Sequence, residues 1–379
     1  MKIMFLTLSL IFCAGTTRAQ ESLQTFENAP ILTHDSTEQS GRAKLLVSST
    51  IMGLAYYGWA IPEIGNFNNE RASIGTYMLS SAGSFFIPFL LTKNQPVTQA
   101  DASLFIHGQT RGIIHGMALA GIVQPHTEKD YFLAYGMAGS ILEGTGAYLW
   151  SRSQNMSQAQ TATISAYSDF GIGFGLALAH ANGAMSEINE RKTGLYTLGG
   201  SIVGITGGAL IANSNSYTKG DALMLRASGQ LGAFLPFAAM TMIRPKNRKN
   251  FSIASMVGGA GGILLGHHLA QKSDFSSSQG TYLNLGELAG ALFGGGFGYI
   301  LANTREKQRN YTMFGSMTGS LATYVLLTQH FIRNHKETSD TRKSGPDFSL
   351  FPGFIPGPGA YLPGVPAKPY PGFGALLQF

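Results

Sequence analysis

Four short residue pairs, evenly spaced, constrain this chain more than any other feature in it. Ser or Thr is followed three residues later by Asp or Gln at Thr98/Asp101, Ser157/Gln160, Thr218/Asp221 and Ser276/Gln279. Each pair opens an apolar run and reads as a capping box. The hydroxyl accepts from a free N–H of the first helical turn, and the carbonyl side chain reaches back to the N-cap N–H. One such pair arises easily by chance, but four at steps of 59, 61 and 58 residues make a structural period. A second mark has the same period: an aromatic followed four residues later by a small residue, at Tyr77/Ser81, Tyr135/Gly139, Tyr196/Gly200, Phe251/Ser255 and Tyr311/Gly315. It opens the other helix of each unit. A two-helix unit cannot cover its own apolar face, so such units stack.

The glycines follow the same order. The first capped helix carries Gly108, Gly112 and Gly116; the last carries Gly286, Gly290, Gly294 and Gly298. Among the aromatic-led helices, one has Gly200 and Gly204, and another has Gly258, Gly262 and Gly266. Spacing by four draws a flat stripe along one helix face. Each glycine costs up to about 1 kcal/mol against alanine in a helix interior. The stripe therefore has to return that energy as helix packing, which small-xxx-small spacing permits even in lipid. The run Gly286-xxx-Gly290-xxx-Gly294-xxx-Gly298 resembles the glycine-zipper segments of bacterial envelope proteins. The resemblance covers the helices from about residue 72 to 331. It implies an envelope protein and names no activity. Tight packing in a water-soluble helical array is the other reading of the same stripes.

Residues 1–19 read as a secretory signal peptide: Met1-Lys2, the apolar run Ile3 to Ala14, then Thr-Thr-Arg-Ala19. Cleavage there would remove Cys13, the chain's single cysteine, and with it thiol chemistry. Residues 20–39 form a flexible polar segment, and 40–332 the repeat domain. A first helix from Ser40 to about Ile61 and a last one ending near Phe331 stand as unpaired half-units. The segment 333–379 is a polar linker and an extended tail holding eight of the fifteen prolines among aromatics. The expected fold is all-α: about ten antiparallel glycine-rich helices in tandem two-helix repeats of about 59 residues.

Composition bears on the compartment. The chain is 44% hydrophobic and only 12% charged, about half the charged share of ordinary soluble domains. Its net charge is +6, yet the basic residues gather in loops instead of along a helix face with aromatics, which argues against a nucleic-acid partner. Loops leading from a capped helix to an aromatic-led one are the basic ones, such as Arg191-Lys192 and Arg244 to Lys249. With antiparallel helices, one end of the array becomes basic, as beside anionic lipid headgroups. Membrane lipid is the expected partner, with self-association or a protein partner also open. The outer membrane or periplasm is favoured over the inner membrane, where strongly lipophilic helices would stop during export.

No P-loop, dinucleotide fingerprint, nucleophile elbow or His-Glu-x-x-His occurs. No catalytic residue, cofactor or metal is expected. Gly294-Gly-Gly-Phe-Gly298 lies within a helical stripe, so it is not a phosphate loop. The candidate interior polar residues are His107, Arg111 and His115 on one face of the first capped helix, with Glu143, Asp169, Arg226 and Glu287 on later helices. Each would be expensive facing lipid. Asp169 of the next unit is the expected partner of the Arg111 seam. Glu143, in a column otherwise filled by Gly204, Gly259 and Gly319, needs a partner, an exposed edge or an aqueous lumen. His267-His268 is expected to cap a helix end.

The functional expectation is a non-enzymatic, membrane-embedded or membrane-associated helical scaffold or pore. One alternative is a soluble periplasmic solenoid binding a protein or lipid. Another is an outer-membrane β-barrel, suggested by the period-two run from Phe170 to Leu178 and by a barrel-like ending, Gly374 to Phe379.

Overall fold

The computed structural model describes residues 40–340, except 68, 126–127, 186–188 and 248, together with 348–356 and 369–377. The expected signal peptide and N-terminal segment lie outside the described residues. Ten helices follow one another: α1 (Arg42–Ile64), α2 (Glu70–Leu91), α3 (Gln99–Val123), α4 (Lys129–Ser153) and α5 (Gln158–Ala181). Then come α6 (Glu190–Ser214), α7 (Lys219–Ile243), α8 (Lys249–Lys272), α9 (Ser277–Leu301) and α10 (Arg305–Asp340). The stretch from Phe170 to Leu178 lies inside α5, so its period-two look is incidental and the array is helical, not a barrel. The tail is extended: β1 (Phe348–Pro356) pairs antiparallel with β2 (Pro369–Leu377), from Phe348 opposite Leu377 to Pro356 opposite Pro369.

All four capping boxes form in both directions, at the starts of α3, α5, α7 and α9. Two of the acidic caps also tie neighbouring elements together. Asp221 accepts from the Thr218 N–H with one oxygen (2.7 Å) and from the Phe275 N–H with the other (2.8 Å). Asp101 likewise takes the Thr98 N–H (3.0 Å) and the Ser151 hydroxyl (2.7 Å). Helix initiation and tertiary packing therefore share the same carboxylates, Asp101 within its hairpin and Asp221 toward the start of the next.

The pairing phase differs from the expected one. The most intimate pairs are α3 with α4, α5 with α6, α7 with α8, and α9 with α10, and α1 packs along α2. Each hairpin thus begins with its odd-numbered helix, and among the described residues the array is five complete hairpins with no half-unit. The last helix also runs past residue 332 to Asp340. Across each tight pair the glycine stripes meet backbone to backbone. Gly112 faces Gly139, Gly171 faces Gly200, and Gly232 faces Gly258, while Gly290 and Gly294 face Gly319 and Gly315. In all five pairs a Cβ on either residue would overlap the other's carbonyl oxygen. The order of contacts is antiparallel. Along α3, Gly108, Gly112 and Gly116 meet the backbone of Glu143, Gly139 and Tyr135 in turn. Gly204, Gly262 and Gly298 similarly meet the carbonyls of Tyr167, Ser228 and Tyr311, and Gly266 the backbone of Leu225. Gly286 meets the side chains of Leu327 and Thr323 instead.

The odd-numbered helices form the inner row. Each touches its own partner, the odd helices on either side, and the even helix of the next hairpin. Aromatic knobs hold successive hairpins: Phe170 of α5 sits over Gly229 of α7, and Phe174 over Gly259 of α8. In α1 a π-turn at Gly53–Tyr57 shifts the helix phase, so that two consecutive tyrosines both point inward. Tyr56 donates to the Leu133 carbonyl at 3.0 Å, and Tyr57 pairs with the Ser140 hydroxyl at 2.7 Å.

Candidate functional site

The inner row carries a half-buried ionic seam. Arg111 of α3 grips Asp169 of α5 with both arms of its fork, Nε to Oδ1 at 2.6 Å and an Nη to Oδ2 at 3.0 Å. Arg226 of α7 binds the same Asp169 from the other side. Three consecutive odd helices are thereby stitched together, Arg111 and Asp169 from mid-helix and Arg226 from about one turn nearer the start of its helix. The Nδ1 of His107 stands 4.0 Å from Asp169 Oδ1 and completes the cluster. Two guanidinium groups share one carboxylate, so the seam carries a surplus positive charge. The Nε of Arg226 is buried and has no hydrogen-bond partner among the described residues.

The remaining sequence-selected residues take two other positions. His115, one turn beyond Arg111, faces away from Asp169 and bonds Glu143 of α4 through Nδ1, at 2.8 and 2.7 Å to the two carboxylate oxygens. The Glu143 side chain is 38% exposed, so this carboxylate sits at an open edge with a histidine partner. Glu287 of α9 is buried, and its Oε1 has no partner among the described residues. It belongs to neither cluster. His107 and His115 point to different acids, and no group of three metal-ligating side chains comes together among the described residues.

The pair His267-His268 is not at a helix end. Helix α8 continues to Lys272, and His267 instead faces Tyr217 and Gln271. Tyr217 lies on the turn between α6 and α7, where burial pushes its hydroxyl up to about 12 and keeps it neutral beside the imidazole.

Two clefts escaped sequence reasoning. One, of about 750 Å³, opens among α1, α2, α3 and α4. Its apolar walls include Leu79, Ile87 and Leu149, and its floor is the network linking Ser48, Gln109, Tyr57 and Ser140. The π-turn that places Tyr57 in that floor left no trace in helical periodicity. The other lies among α5, α7 and α8 and is bordered by Asp169 and Arg226. The repeat did hold a signal for that one. Arg111, Asp169 and Arg226 recur at steps of 58 and 57 residues with alternating sign, close to the period of the caps. Compared with protein-family models, with curated proteins and with solved structures, the chain matches none.

Proposed function

We propose that this protein is a non-enzymatic helical-repeat scaffold embedded in a membrane of the bacterial cell envelope. The observation that carries the reading is the apolar outer wall of the array. On α2 almost nothing is buried, and Leu79, Ile87, Leu90 and Leu91 stand open. Val203 of α6, Val257 and Leu264 of α8, and Phe293 and Ile300 of α9 are exposed in the same way. Water-soluble monomers keep contiguous apolar patches to a few hundred Å²; lipid is the solvent in which such a wall is stable.

Three further features support it. Helices of 24 or 25 residues are roughly 36 Å long, enough for a hydrocarbon core of about 30 Å. Helices α1, α2, α6 and α8 are long and apolar enough to cross a membrane by length and composition. The charges of α3, α5 and α7 are paired with one another in the inner row, which lowers the cost of holding them within a membrane. The loops that close each hairpin carry the basic residues, as an end beside anionic headgroups would. Backbone-to-backbone glycine contacts support kinship with glycine-zipper envelope proteins, and the N-terminal apolar run supports export.

Alkaline carbonate extraction of fractionated envelopes tests this directly. The protein should stay with the lipid pellet. Release into the supernatant would establish the soluble solenoid instead and sink the proposal.

A further inference from the structure

Two adjacent cavities lie among α5, α7 and α8 and share part of their lining. One, of about 420 Å³, is bordered by Asp169, Phe170, Arg226, Phe234, Phe237 and Ser255. The other, of about 460 Å³, shares Phe237 and Ser255 and continues past Phe251 and Ala177 to His180. His180 lies eleven residues beyond Asp169 on α5. The combined cleft is therefore roughly 16 Å long at 1.5 Å per residue. Its volume falls within the range of small-molecule sites, and its walls are mostly aromatic and apolar with polar groups near its two ends.

The charge on its wall is unbalanced. Asp169 is already held by Arg111 and Arg226, and the nearby His107 adds no acid. Among the described residues, two buried atoms of the lining have no hydrogen-bond partner: Arg226 Nε and Ser255 Oγ. A guanidinium left half-paired in an apolar setting is expensive, and the natural remedy is a second carboxylate. The seam itself shows that this guanidinium takes a carboxylate, since Asp169 already accepts from one of its Nη groups on the α5 side. We infer that the cleft binds a long-chain fatty-acid anion, its carboxylate on Arg226 and its chain lying along Phe234, Phe237 and Phe251 toward His180. An alcohol of equal length lacks the charge, and an amine carries the wrong one. The inference does not rest on the membrane reading, because a water-soluble array would offer the same cleft.

The test is saturable binding of radiolabelled palmitate to the full-length protein in a neutral detergent, with competitors of equal chain length. Hexadecanol and hexadecylamine should each compete at least about tenfold less well than unlabelled palmitate, the loss of one charge-assisted contact. Arg226→Gln should weaken palmitate by a similar factor and abolish the preference over hexadecanol. Ser255→Leu fills the junction of the two cavities without touching the ion pairs, and should weaken palmitate and hexadecanol alike. Should Arg226→Gln fail to fold, Ser255→Leu and the competitor series still decide the matter. Equal competition by hexadecanol, or unchanged palmitate binding in Ser255→Leu, would overturn the inference. Stronger competition by palmitoyl lysophosphatidate than by palmitate would overturn the carboxylate and assign the cleft to a phosphate headgroup.

Discussion

The zipper geometry makes a prediction that can be read within a single helix. Gly171 of α5 faces Gly200 of α6, and a Cβ on either would lie well inside the 3.0 Å that real Cβ atoms keep from other heavy atoms. Two residues along the same helix, Gly173 has nothing within 4 Å, and Gly199 of α6 is equally open. Replacing an open helical glycine by alanine removes backbone entropy from the unfolded chain, so Gly173→Ala and Gly199→Ala should each stabilise by about 0.5–1 kcal/mol. Gly171→Ala and Gly200→Ala gain the same amount, but their methyl groups strike backbone carbonyls, which cannot rotate away as a side chain would. Overpacking of this kind costs about 1–3 kcal/mol, leaving a net loss of up to about 2.5 kcal/mol and centred near 1. The sign of the effect should therefore reverse over two residues. The double variant Gly171→Ala/Gly200→Ala should lose less than the sum, because one separation of the helices accommodates both methyls. Thermal unfolding followed by far-ultraviolet circular dichroism, at fixed detergent, reads all five proteins. If Gly171→Ala melts at or above the wild-type temperature while Gly173→Ala is unchanged, the helices do not touch through their backbones and the packing account fails.

Asp221→Ala removes a cap and strands the buried Phe275 N–H, so it should cost about 2–4 kcal/mol, against about 1 for Ser276→Ala at a cap with no second task. Equal losses in chemical unfolding would show that the carboxylate does not bridge two units. Asp169→Ala leaves Arg111 and Arg226 facing each other without an anion and should cost about 3 kcal/mol. Combining it with Arg226→Met, which removes the repulsion, should recover part of that loss; no recovery would mean the two arginines do not share the acid. Glu143→Leu leaves both ring nitrogens of His115 unbonded and should cost about 1–2 kcal/mol while the array stays folded. Loss of folded protein on expression would place Glu143 in the interior instead of at an edge.

The helices were legible because their cause is local. A Thr98 or Ser276 hydroxyl needs only the residue three positions on to make its cap, so four repeats of that pair fix four helix starts. The glycine stripes were legible for the same reason, since the spacing of Gly108, Gly112 and Gly116 already states which face is flat. Hairpin phase was not. The turns before and after each capped helix are both short, so chain connectivity favours neither neighbour as the closer partner. The deciding information is mutual: α2 offers only Gly75 and Gly83, neither of which meets another helix, while α4 offers Gly136, Gly139 and Gly144 to α3. The pairing of Arg111 with Asp169 was legible in the repeat, and the 57-residue step to Arg226 was a weaker signal for a second partner. Arg226 lies about one helical turn nearer its cap than Asp169 does, so the step alone does not tell that the two side chains meet.

The place of the clefts follows from the zippers. From α3 onward, each odd helix commits its small face to one even neighbour, and that contact is as close as two backbones allow. Closing one flank of a helix so tightly opens a wedge on the other, where α5 must reach both α7 and α8. Large side chains fill that wedge unevenly: Phe170 and Phe174 seat on Gly229 and Gly259, and the space beyond them stays open beside Phe234, Phe237 and Phe251. The preceding hairpins leave a comparable cavity of about 360 Å³ among α3, α5 and α6, between Ile114, Leu176 and Thr197. That cavity has no arginine on its wall. The same repeat thus builds the opening more than once, and a single side chain, Arg226, makes one of the openings electrically incomplete. Filling the wedge with a larger apolar residue at Ser255 should leave the zippers and the Arg111–Asp169 pair intact. Ligand retention and melting temperature should then part company, the first falling while the second holds. Should both fall together, the wedge is part of the load-carrying packing and not a site.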